Sequence, residues 1–82
     1  MTSEDFRTWR KHMGFSQTKA AETIGVSRGS VENYERGSRR EDDRAVEIPK
    51  TVALACIAAF YGLDHLADEE MVWNGAKIRP KD

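Results

Sequence analysis

Two pairs of serine and glycine in the stretch SQTKAAETIGVSRGSVENYERG, residues 16–37, constrain this chain more than any other feature. Ser16 precedes Gln17–Ile24 and Ser27 precedes Arg28–Arg36. A serine oxygen at such a position accepts from the backbone N–H groups that open a helix without partners. Gly25 and Gly37 fall just past the two ends, where the backbone needs a positive φ. The stretch therefore predicts two short helices joined by a tight turn. Ala20, Ile24, Val26, Val31 and Tyr34 take its inward positions, and Gln17, Thr18, Arg28, Ser30 and Asn33 its outward ones. Ala21 falls where the two helices must cross, and only a small side chain lets them approach there.

The flanks supply a hydrophobic cover. Ser3 is placed to cap a first helix, with Glu4 and Asp5 in its positive first turn. Phe6, Trp9 and Met13 follow helical spacing and predict its core stripe. Gly14 ends it, and Phe15 folds back as the contact behind the cap. Arg7 and Lys11 share another face, open either to phosphate or to solvent. Pro49 suits the first turn of a further helix. That helix contains TVALACIAAF, residues 51–60, which has no charge. A helix apolar nearly all round must be buried nearly all round, so one side would cover the helix pair and the other would meet a second subunit. Gly62 ends this helix, and Leu63 and Leu66 are placed to pack behind it. In the tail, Asn74-Gly75 is a strong two-residue hairpin signal. It would set Trp73 opposite Ala76, Val72 opposite Lys77 and Met71 opposite Ile78, with Glu70 meeting Arg79. The competing reading is a short helix 64–73 closed by Gly75. The fold class is all-α, a bundle of four or five helices with a short C-terminal β-hairpin. Residues 1–82 form one domain, the helix pair lying at 16–37 and helix 49–61 and tail 64–82 serving dimerisation.

At 82 residues a single domain buries only about 60% of its unfolded surface, so association with a second copy would help it. The opening segment MTSEDFRTWR is acidic where a secretory signal is basic and then apolar. No apolar run approaches the ~20 residues of a membrane span. These two features predict a cytoplasmic protein without a membrane partner. Cys56 is the only cysteine, which excludes an internal disulfide and a thiolate metal cluster. His12 and His65 lack companion ligands, so neither a metal nor a cofactor is expected. Apart from scattered carboxylates there is no nucleophile–base pair and no phosphate-cradling glycine loop, and an enzyme is not expected. The net charge of −1 is unevenly spread: residues 1–40 carry +3 and residues 41–82 carry −4. A local basic face, not the total, governs nucleic-acid binding.

The caps, the Gly25 turn, the small Ala21 and the five inward apolar positions together resemble the helix-turn-helix of the lambda-repressor and Cro family, also called the xenobiotic-response-element family. The resemblance covers about 22 residues, with weaker agreement on both sides. It implies a lambda-repressor-like bundle whose second motif helix enters the DNA major groove with its N-terminal residues on base edges. Ser27, Arg28, Gly29, Ser30 and Asn33 then form the base-reading set. Arg28 would bond guanine O6 and N7 or fall back on phosphate, and Asn33 would bond adenine N6 and N7. Gly29 would admit close backbone approach or a thymine methyl, and Ser27 and Ser30 are open to either base or phosphate. Gln17 would bond a phosphate from the positive helix end, with Thr18 and Lys19 beside it. The resemblance also implies an ion pair between Arg10 and Glu35 that clamps two helices and takes no part in reading.

After Gly37 the loop SRREDDRAVEI would lie along the DNA backbone, with Arg36, Arg39, Arg40 and Arg44 on phosphate. Glu41, Asp42 and Asp43 must then turn away; the alternative is a solvated charge run. Ile57, Phe60, Tyr61, Met71, Trp73 and Ile78 are the candidates for a dimer interface.

The function this implies is sequence-specific repression of transcription by a homodimer on an inverted-repeat operator of double-stranded DNA, autoregulating its own operon. The chain looks similar to the stand-alone autorepressors of phages and mobile elements, including those encoded beside anti-CRISPR genes. Two alternatives stand beside it. One is the DNA-binding antitoxin of a toxin–antitoxin pair, in which only the tail could bind the toxin. The other is a protein-binding module that has lost DNA contact, which the acidic second half favours.

Overall fold

The computed structural model describes residues 1–69 in full, and residues 71–74 and 77–80 as paired backbone. Four helices run in order: α1 (Ser3–Met13), α2 (Gln17–Ile24), α3 (Arg28–Arg36) and α4 (Lys50–Phe60). A 3₁₀ turn follows at Asp64–Asp68, and then strands β1 (Met71–Asn74) and β2 (Lys77–Pro80). Among the described residues no helix is long and apolar enough to cross a membrane.

Each helix start has a local cause. At α1 the cap is Thr2, one residue earlier than the serine expected from the sequence. Its Oγ1 accepts from the Asp5 N–H at 3.0 Å, and the Asp5 carboxylate accepts from the Thr2 N–H at 2.9 Å. That reciprocal pair needs an acid three residues past the cap, and the sequence offers it to Thr2. Ser3 instead lies inside the helix, beside the end of α3. A Cβ built on Gly37 would stand 3.1 Å from the Ser3 Oγ, and Gly37 also holds φ +79°. The backbone conformation favours glycine there, and a side chain would in addition have to displace the Ser3 hydroxyl by a few tenths of an ångström. Ser16 and Ser27 cap α2 and α3 through bonds of 3.0 Å to the N–H groups of Lys19 and Ser30. Pro49 stands just before α4 and caps it with no side chain; its carbonyl accepts from Val52 and Ala53.

The core lies where α1, α2, α3 and α4 meet. It consists of Phe6, Trp9, Ala20, Ala21, Val31, Val52, Cys56 and Ala59, with Met13, Phe15, Ile24, Val26, Tyr34 and Ile48 half-buried against it. Phe6 is fully enclosed, its ring 5.4 Å from Trp9 and 5.6 Å from Tyr34. Phe15 turns back onto Trp9 at 5.9 Å, edge to face. Rings at these separations attract beyond their buried area. Burial pushes the Cys56 thiol up to about 11, so it stays protonated and packs as a small apolar group.

α4 is buried on one side only. Val52, Cys56 and Ala59 face the core, while Leu54, Ile57, Phe60 and Tyr61 are each more than half exposed. The expectation that Leu63 packs behind the helix is corrected. Its N–H bonds the Ala58 carbonyl at 2.8 Å and closes the turn at Gly62, but its side chain is 52% exposed.

The loop after α3 is ordered by its own backbone. Ser38 and Ala45 form an antiparallel bridge, Arg39 N–H bonds the Arg44 carbonyl at 2.8 Å, and Asp43 N–H bonds the Arg39 carbonyl at 2.9 Å. Asp43 adopts φ +56°, a conformation that aspartate tolerates better than most residues.

In the tail, β1 and β2 are antiparallel, with Met71 opposite Pro80, Val72 opposite Arg79, Trp73 opposite Ile78 and Asn74 opposite Lys77. The register read from Asn74-Gly75 is thereby corrected: Asn74 is itself paired, with Lys77, and the partner of each β1 residue lies two positions further along than expected. Glu70, Gly75 and Ala76, and the side chains of Met71, Trp73 and Ile78 proposed for a dimer contact, lie outside the described residues.

Candidate nucleic-acid interface

α3 is anchored at its far end and bare at its near end. The anchor begins with Arg10, late in α1, which approaches Glu35 as the bundle closes. Its Nε donates to Glu35 Oε2 at 2.5 Å and its Nη2 to Oε1 at 3.0 Å, while Nη1 donates to the Phe15 carbonyl at 3.0 Å. Both side chains are mostly buried, 19% and 10% exposed, and the two parallel bonds fix angle as well as distance. Arg7, one turn earlier, donates to the Glu35 backbone carbonyl. This corrects the reading of Arg7 as a phosphate or solvent residue. It caps an orphan carbonyl at the end of α3, where the helix is negative. Its spacing of three from Arg10 was the available signal.

At the opposite end none of the described residues covers the helix. Ser27, Arg28 and Gly29 are exposed, and Ser30 and Asn33 half-exposed. Ser27 and Ser30 hold each other: Ser27 Oγ caps the Ser30 N–H and lies 3.0 Å from the Ser30 hydroxyl. The Ser27 oxygen is thus largely committed to the helix start. A Cβ on Gly29 would meet only the Ser27 Oγ, at 3.8 Å. Packing within the chain does not require glycine there, although a glycine inside a helix costs ~1 kcal/mol against alanine. Arg28 extends into solvent, 62% exposed, with its Nε 3.7 Å from Glu32 Oε1. Glu32 was missed in the sequence, though its spacing of four from Arg28 marks it.

The first turns of α2 and α3 contain no acidic residue. Their positive ends are left without a compensating charge, which suits an anionic ligand. At α2, Gln17 is half-buried at the first helical position, and Thr18 and Lys19 are exposed.

The loop departs from expectation. Glu41 and Asp42 do not turn away from its arginines. Arg39 Nε lies 3.6 Å from Glu41 and 3.8 Å from Asp42, and Arg44 Nε lies 3.5 Å from Asp42. Asp42 also accepts from the Arg44 N–H at 3.1 Å. The tight backbone bridge brings these charges together, so Arg39 and Arg44 reach outward already paired. Arg36 and Arg40 are exposed, and neither forms an ion pair among the described residues. Those residues also contain no cluster of three or more metal-ligating side chains.

Comparison with known proteins agrees with this geometry. A family model described as Helix-turn-helix matches residues 6–41, a span running from the enclosed Phe6 through α2 and α3 into the bridged loop. No curated protein matches the chain.

Proposed function

Because this chain is a helix-turn-helix DNA-binding protein of the lambda-repressor/Cro family and hence a transcriptional regulator, we propose that it is a repressor. It binds a two-fold symmetric operator as a homodimer, in the cytoplasm, and silences the operon that encodes it. One observation carries the reading: the leading end of α3 is exposed, free of acids in its first turn, and held rigid from behind by Arg10 and Arg7. Such a rod fits the major groove, about 12 Å wide.

Arg28 and Asn33 then address base edges, with Gly29 letting the backbone close in and Ser27 and Ser30 bordering the contact. Gln17, Thr18 and Lys19 hold one phosphate run, and Arg36 and Arg40 another. Arg39 and Arg44 join only by exchanging a carboxylate partner for phosphate. The outward side of α4, with Ile57, Phe60 and Tyr61 each more than half exposed, supports the second copy. A single α3 reads too few base pairs for useful specificity, and two-fold pairing places two of them about 34 Å apart.

Selection of bound duplexes from a random pool tests this. The expected product is an inverted repeat with half-sites one helical turn apart, bound by a dimer in sedimentation. Failure to enrich any sequence, with salt-insensitive or absent binding, would remove the reading and favour a module that binds protein instead.

A further inference from the structure

Glu32 is the unexpected residue on the reading face. Of the two acids in α3, Glu35 turns inward to Arg10, whereas Glu32 stays outside, its side chain 37% exposed. A carboxylate on a surface that meets a polyanion lowers affinity for every duplex. Stability does not account for it well. The pair with Arg28 is solvent-exposed, and exposed pairs contribute little. The acid also follows the base at i,i+4, the weaker of the two orders.

The contact geometry suggests another role. Glu32 Oε1 lies nearest the Arg28 Nε, at 3.7 Å. A carboxylate on that edge leaves both terminal nitrogens of the guanidinium free, and two parallel N–H donors match O6 and N7 of guanine. It also repels a phosphate that would otherwise capture Arg28. We infer that Glu32 is a specificity-determining residue of the DNA-reading face, which holds Arg28 for a guanine and keeps it off the phosphate backbone. The inference rests on the repressor reading above. In it Glu32 is a positioning residue, acting through Arg28.

The test compares the full chain with Glu32→Ala and Glu32→Gln on three duplexes by fluorescence anisotropy across a salt series. The duplexes are the selected operator, the same operator with its Arg28-dependent G·C pair changed to A·T, and a random sequence. Wild type is expected to discriminate. Both variants should bind the random duplex several-fold more tightly, and their preference for the G·C operator should fall about tenfold. Their salt slope on random DNA should steepen by about one ion as Arg28 moves to phosphate. In an Arg28→Ala background, Glu32→Ala should change the preference no further.

Thermal unfolding of each variant shows that the fold is kept. Undiminished preference and an unchanged slope in folded variants would overturn the role of Glu32 alone. So would a selected operator with no guanine that depends on Arg28. A wild type that selects no duplex would overturn the repressor reading itself.

Discussion

α1 and α3 are built from similar materials toward opposite ends. Both start at a hydroxyl cap, both finish at a glycine of positive φ, and both give an aromatic ring to one core. α1 places Glu4 and Asp5 in its first turn and Arg10, Lys11 and His12 in its last, each sign where the helix dipole favours it. α3 opens with Arg28 and has no acid in its first turn, an arrangement the same dipole disfavours. The difference separates a helix whose charges complement its dipole from one whose first turn leaves the dipole without a compensating acid. Arg10 and Arg7 join the two, so that stability from α1 is spent on the aim of α3.

The largest test of that division removes the shared core. Phe6→Ala should cost about 4 kcal/mol, as an enclosed ring leaves a cavity touching both helices, and a denaturant midpoint would read it. Arg10→Ala comes next, at about 3 kcal/mol, because Glu35 is left mostly buried with no charged partner. Arg10→Lys should recover only part of this in the same titration, since lysine lacks the two-pronged geometry. Gly29→Ala should move the two properties in opposite directions. Stability rises by up to ~1 kcal/mol, while operator affinity falls because a methyl group intervenes at the closest backbone approach. A parallel loss of both would show that the start of α3 is shaped for folding after all.

The smallest effect concerns the α1 cap. The Thr2 backbone N–H, and then its hydroxyl, hold the Asp5 carboxyl below its ordinary range. A lowered carboxylate pKa contributes stability above the unfolded value, which is lost as pH falls through the lower folded one. The melting temperature should therefore drop below about pH 4, and Thr2→Ala, which keeps the backbone N–H, should remove only the smaller part due to the hydroxyl. DNA affinity measured at neutral pH should be untouched.

Much of this was legible in the sequence, for physical reasons. Ser16, Gly25, Ser27 and Gly37 act within a few residues of themselves, and local rules suffice to place α2 and α3. Phe6, Trp9 and Val31 follow a helical period. The first cap was misplaced because Thr2 and Ser3 are both competent, and only the partner acid at Asp5 decides between them. Arg7, Glu32 and the pairing of Arg39 and Arg44 with Glu41 and Asp42 were not foreseen. Each depends on which way a long side chain turns once the backbone is set, and the turn at 38–45 reverses direction with little signal beyond its charges. The exposure of α4 divides in the same way. Its apolar composition is plain, but which half meets the core depends on where α1 and α2 stand.

The central claim is that the leading end of α3 meets a duplex, and backbone amide shifts during titration with the selected operator test it most directly. The account predicts the largest changes at residues 27–33 and 16–19, with residues 3–13 of α1 nearly still. Changes concentrated on Leu54, Ile57 and Phe60, with residues 27–33 unmoved, would contradict it.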